Sequence, residues 1–130
     1  MIEDGILTRA QKLGSVFHAE LSAMQSRHPS LIQFVNGAGM CAALILQDPA
    51  RPGQPLPICS DVCIACLQRG LLTIHTGRES LKLTPPLCIT EAALLEGLAV
   101  LEKALLDVVD KTAPLRPTYG TADAARAAKL

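Results

Sequence analysis

The sequence predicts an α+β fold, a small antiparallel or mixed sheet with helices packed on one face. Three observations carry that expectation. Apolar residues recur at three- and four-residue spacing near both ends of the chain, β-rich segments come in pairs around glycine-containing turns, and the order is helix, two strands, helix, two strands, helix.

The first helix is predicted over 3–27, where Ile6, Ala10, Leu13, Phe17, Leu21 and Met24 form one stripe, and Pro29 ends it. Next, "LIQFVNGAGMCAALILQ" (31–47) divides into two strands around Gly37 and Gly39. The segment "DPARPGQPLP" holds four prolines and one glycine, so 48–58 is expected to be an exposed loop without regular structure. A short helix follows from a Ser60 or Asp61 cap to about Arg69, with Gly70 suited to left-handed termination. "LLTIHT" and "SLKLT" are two short strands around "GRE". Thr90 caps the last helix, about 91–109, with Leu94, Leu98, Leu101, Leu105 and Val108 on its apolar stripe. Residues 111–130 read as a loosely held tail.

One domain spans 1–110, since 130 residues suffice for one core and no second domain. Hydrophobic residues make up 49% of the chain, yet Phe17, Phe34 and Tyr119 are its only aromatics, so the core is aliphatic. Twelve basic and twelve acidic residues are scattered, which gives no footprint for nucleic acid or an anionic membrane. No apolar run approaches the ~20 residues of a membrane span, and "MIEDGILTR" is unlike a signal peptide, so a soluble cytoplasmic protein is expected. The closing Ala128-Lys129-Leu130 loosely resembles a peroxisomal address.

Five cysteines, an odd number without a regular framework, suggest reduced thiols. Cys59, Cys63 and Cys66 have the spacing of some three-thiolate iron–sulfur sites, but within a short helix they form one apolar stripe and read as core. His18, His28 and His75 lie at no zinc-ligand spacing, so no metal site is expected. His18 falls on the polar side of the first helix, and His28 reads as a helix-end residue. "NGAG" lacks the third glycine and the strand–turn–helix setting of a dinucleotide loop, and neither a Walker loop nor a nucleophile elbow is present. No catalytic residue is assigned.

Two features remain. "GMCAALIL" is apolar at nearly every position, which suits a strand covered on both faces, although the predicted helices cover one. The other face needs a cover, either a second copy of the chain or a larger body. In "LKLTPPLCIT", alternation places Lys82 opposite the face used by Leu81 and Leu83. A cation on a covered face needs an anionic partner; on an edge strand it points into water.

From about Ile2 to Val109 the chain resembles the C-terminal small domain of class III pyridoxal-phosphate aminotransferases. "IEDGILTRAQKLGSVFHAEL" is similar to the family's helix leaving the large domain, "FVNGAGMCAALIL" to its glycine-bearing turn and apolar strand, and "RGLLTIHTGRESLKLTPPLCITEAALLEGLAVLEKAL" to its closing strand, proline pair and final helix. The resemblance implies that Lys82 binds a substrate carboxylate. It also implies that the cofactor belongs to a large domain absent from these residues, so no cofactor is expected in this chain, and that the partner is either that large domain or, for a stand-alone binding or oligomerisation module, a second copy packed through the apolar sheet face. Lys82 stands where the family commonly has arginine, and Asn36 where it often has arginine before the glycine. A point charge thus replaces planar two-pronged recognition.

Overall fold

The computed structural model describes residues 5–112, and within them the chain forms three helices and five strands. Helix α1 (Ile6–Arg27) leads into β1 (Ile32–Ala38) and β2 (Cys41–Asp48), followed by β3 (Arg51–Pro55), α2 (Cys59–Leu67), β4 (Ile74–Thr76), β5 (Ser80–Leu83) and α3 (Glu91–Thr112). The sheet is antiparallel, ordered β1-β2-β5-β4, with β3 added to the end of β2. The predicted α+β class holds. Most of the expected tail, and with it Ala128-Lys129-Leu130, lies outside the described residues, but α3 itself continues through Lys111 and Thr112.

The helices cover one sheet face. Along α1, Leu13, Phe17, Leu21 and Met24 are buried, and along α3 Leu94, Leu98, Leu101, Ala104, Leu105 and Val108 are. They close on Ala42, Leu44 and Leu46 of β2 and Leu81 and Leu83 of β5 in one aliphatic core. Each such leucine contributes about 1.5–3 kcal/mol through removal of its side chain from water. The near-continuous apolar run of β2 is nevertheless split by alternation: Ala42, Leu44 and Leu46 are buried, while Ala43 and Ile45 on the opposite face are only half-buried. The expected cover on that second face is not supplied by the described residues.

Three local expectations need correction. The proline-rich segment is not wholly a loop, because Arg51–Pro55 forms the exposed strand β3. Proline is tolerated there because β3 pairs only with the last two residues of β2, so the N–H groups missing at Pro52 and Pro55 interrupt no continuous ladder. The turn into it is held by Asp48, whose carboxylate accepts from Ala50 N at 2.9 Å and Arg51 Nε at 3.0 Å. Next, Ile58 precedes α2 without any side-chain cap; Ser60 instead pairs with His75. Finally, Leu71–Thr73 is not strand. Gly70, at φ 82°, closes α2 with bonds from Gly70 N to Leu67 O (3.0 Å) and Leu71 N to Cys66 O (2.9 Å), which hold the chain back until Ile74.

Close backbone approach fixes how α1 meets the β1–β2 hairpin. A Cβ on Gly14 would lie 3.1 Å from the backbone of Gly39 at the hairpin tip. Within the hairpin, Gly37 has φ 135° and a Cβ there would sit 2.2 Å from Cys41 O, so only glycine fits. At the other end of α1, Arg27 grips Glu102 of α3 through Nε–Oε1 (2.9 Å) and Nη2–Oε2 (2.8 Å), and His28 Nε2 lies 2.7 Å from the same carboxylate. His28 is thus the helix-end residue expected. Arg27, then His28, holds the Glu102 carboxyl below the usual carboxylate range against the opposing effect of burial.

Two outcomes follow from these contacts. Gly37→Ala lowers stability by at least about 1–3 kcal/mol, the scale of one forced backbone conformation, read as a reduced urea midpoint. Glu102→Gln lowers the melting temperature at pH 7. Because the native pKa of Glu102 is depressed, its contribution is full above the ordinary glutamate value of about 4.3 and is lost as pH falls through the native value, so the two melting curves converge in acid.

Candidate functional site

Lys82 lies on the uncovered face. In register across the sheet, Asn36 of β1 pairs with Ala43 of β2, Ala43 with Lys82 of β5, and Lys82 with Ile74 of β4, so these four side chains form one row. Asn36 and Lys82 stand two strand spacings apart, about 10 Å. Ile74 is 51% exposed, and beside the row Phe34, paired with Ile45, is 52% exposed. Lys82 itself is exposed, and among the described residues no acidic side chain pairs with it. A single cation is therefore displayed on an apolar sheet face.

Beside Lys82 the chain turns through Pro85 and Pro86 and enters α3, where Thr90 Oγ1 accepts from Ala93 N at 3.2 Å. Arg9 at the start of α1 fixes this strap, donating through Nη2 to Cys88 O (3.1 Å) and Ile89 O (2.9 Å). Between the strap, α3 and the segment before β4 lies a cleft of about 330 Å³, bordered by Lys82, Leu72, Ile74, Pro85, Pro86 and Gly97. Lys82 is the one cation on a largely apolar wall that also takes in Phe17, Leu94 and Leu98 of the core.

The cysteines behave as core in part. Cys59 and Cys66 are fully buried, Cys63 is half-buried, and burial pushes the Cys59 and Cys66 thiols up, Cys59 further through the negative charge of Glu79. A thiol so held is a poor nucleophile. Cys59 has Cys63 nearby but meets other donor groups as well. It faces His75 and Glu79, and the three ligand-type atoms lie within 4.8 Å of one another. Sequence spacing missed this group, since Cys59 meets the β4–β5 hairpin only once α2 packs against it; the legible hint was His75 and Glu79 flanking a tight turn. His18, expected on the polar side of α1, stacks edge-on to Phe17 at 5.4 Å with its Nε2 buried.

The residues around Lys82 do not form a pyridoxal-phosphate pocket. Such a cofactor needs an acid for its pyridine nitrogen and a set of donors for its phosphate, whereas the cleft wall is apolar and, among the described residues, Lys82 has no carboxylate companion.

The described residues thus form an α+β domain with one bare sheet face, on which a lone cation stands beside a strand, a proline pair and a capped helix. A family model described as "Aminotransferase class-III" matches residues 1–105, and the chain belongs to that family. The mitochondrial ornithine aminotransferase of Oryza sativa subsp. japonica is 34% identical over 113 residues, 86% of this chain but 22% of that protein. The ornithine aminotransferase of Emericella nidulans is 30% identical over 106 residues, 82% of this chain and again 22% of its own length. Among solved structures, the acetylornithine aminotransferase of Elizabethkingia anophelis superposes with a TM-score of 0.69 at 31% identity, covering 81% of this chain and 25% of that one. The chain thus spans about a quarter or less of the relatives it matches.

Lys82, exposed and unpaired among the described residues, contributes little to the fold. Lys82→Ala leaves the stability of the purified chain within about 0.5 kcal/mol, measured by chemical denaturation.

Proposed function

We propose that this chain acts as the small domain of a class-III, pyridoxal-phosphate-dependent aminotransferase. Its bare sheet face rests against the large domain, and Lys82 binds the carboxylate of an amino acid or 2-oxo acid partner in amino-group transfer. The observation that carries this reading is the placement of Lys82 between Ala43 and Ile74 on the uncovered face, next to a cleft. Out of water, an ammunition of bare hydrocarbon beside one ammonium becomes a polarity filter: the anionic end of a ligand is held, and its position along the sheet is set by the walls.

The chain supplies neither the cofactor's Schiff-base lysine nor its phosphate cradle, both of which belong to the large domain in this reading. By itself it does not transaminate. Asn36, on the same row, offers amide hydrogen bonds but no second positive charge. A ligand with one carboxylate near Lys82 is therefore favoured over one needing two cations.

A second reading rests on the same exposed hydrocarbon. Phe34 at 52% and Ile74 at 51% exposure form a patch that a second copy of the chain would bury, making a stand-alone oligomerisation module.

Mixing the purified chain with pyridoxal phosphate separates a lid from a self-sufficient enzyme: no protein-bound aldimine absorbance is expected, and a stable band would overturn the first reading. When the chain is assembled with its large domain, Lys82→Ala raises KM for the carboxylate-bearing substrate by about 10–100-fold, the worth of one charged hydrogen bond, and Lys82→Arg preserves it. Light scattering tests the module. A discrete dimer that dissociates on Phe34→Ser with Ile74→Ser would favour it over the enzyme domain.

A further inference from the structure

We infer that Cys59, His75 and Glu79 form a mononuclear zinc-type metal site, which clamps the β4–β5 hairpin to the start of α2. The site lies on the helix-covered side of the sheet and is independent of Lys82.

The donor set has the right chemistry. A thiol sulfur, an imidazole nitrogen and a carboxylate oxygen within 4.8 Å of one another constitute a mixed S, N, O group, the set favoured by borderline divalent ions rather than by magnesium or calcium. Around zinc, bonds of about 2.0–2.3 Å put tetrahedral ligand atoms about 3.3–3.7 Å apart. His75 Nε2 and Glu79 Oε2 already stand 3.7 Å apart, and the Cys59 sulfur lies within 4.8 Å of a ligand atom of each. A fourth position remains for water on the partly exposed side formed by His75 and Glu79.

The surroundings orient the donors. Ser60 Oγ lies 2.9 Å from His75 Nδ1, which fixes the ring and turns Nε2 toward Glu79, the kind of outer partner that ligating histidines keep. Glu79 is held from two sides: its backbone carbonyl accepts from Leu46 N of β2 at 3.1 Å, while its carboxylate accepts from Cys59 N at 3.4 Å. Its backbone is left-handed, with φ 50° following φ 65° at Arg78. Positive φ at both positions suits a type I′ turn between β4 and β5, and Glu79 leaves that turn with its carboxylate beside Cys59.

Binding is a proton exchange. The divalent ion takes the Cys59 sulfur as thiolate, the thiol proton passes to solvent, and no electron moves.

The test uses the full chain with Cys41→Ser and Cys88→Ser, which remove its two exposed thiols, titrated with Co²⁺ and then Zn²⁺. One equivalent of cobalt is expected to give a thiolate-to-cobalt charge-transfer band that zinc bleaches, and zinc is expected to raise the melting temperature. His75→Gln and Glu79→Gln weaken binding by more than tenfold, Ser60→Ala by about tenfold through loss of ring orientation, and Cys59→Ser abolishes the band. A band that survives Cys59→Ser, or cobalt affinity unchanged in both His75→Gln and Glu79→Gln, overturns the site, as does the absence of any band in the parent. Circular dichroism checks folding without metal, and if Cys59→Ser fails to fold, the two hairpin variants decide.

Discussion

Strand β2 is the constraint on which the rest of this structure depends. It is bonded on both edges, to β1 and to β5, and its side chains must divide between two faces although nearly all of them are apolar. One face takes Ala42, Leu44 and Leu46 into the core beneath α1 and α3; the other leaves Ala43 and Ile45 half-covered. A central strand cannot be rotated to hide both sets, so the polarity of the whole sheet is decided there. Lys82 falls on the bare side because it is in register with Ala43, and Leu81 and Leu83 fall on the buried side by the same rule.

Much of this was legible in the residues. The helices at either end follow from stripes of leucine and phenylalanine at three- and four-residue spacing, the final one from Thr90 as its cap, and the hairpin from Gly37, whose conformation no other residue could adopt. The placement of Lys82 follows from strict alternation in four residues. The family relation was visible in the same stretch, through the strand, the proline pair and the capped helix in fixed order.

What the residues concealed shares one physical character: it depends on contacts between segments far apart in the chain. Pro52 and Pro55 argue against a strand unless it is known that β3 has a partner on only one side. Ser60 is a sound helix cap by local preference, but His75 competes for its hydroxyl. The meeting of Cys59 with His75 and Glu79 requires α2 to lie over β4, which no spacing within either segment reveals. Likewise the apolar run of β2 suits two covered faces, whereas the described residues cover one.

The grip of Arg9 on the carbonyls of Cys88 and Ile89 ties the opening turn of α1 to the strap that follows Lys82, although roughly eighty positions separate them along the chain. One guanidinium therefore staples the two pieces together at the protein surface. The lip of the cleft is thereby anchored from the far end of the chain as well as by its own walls.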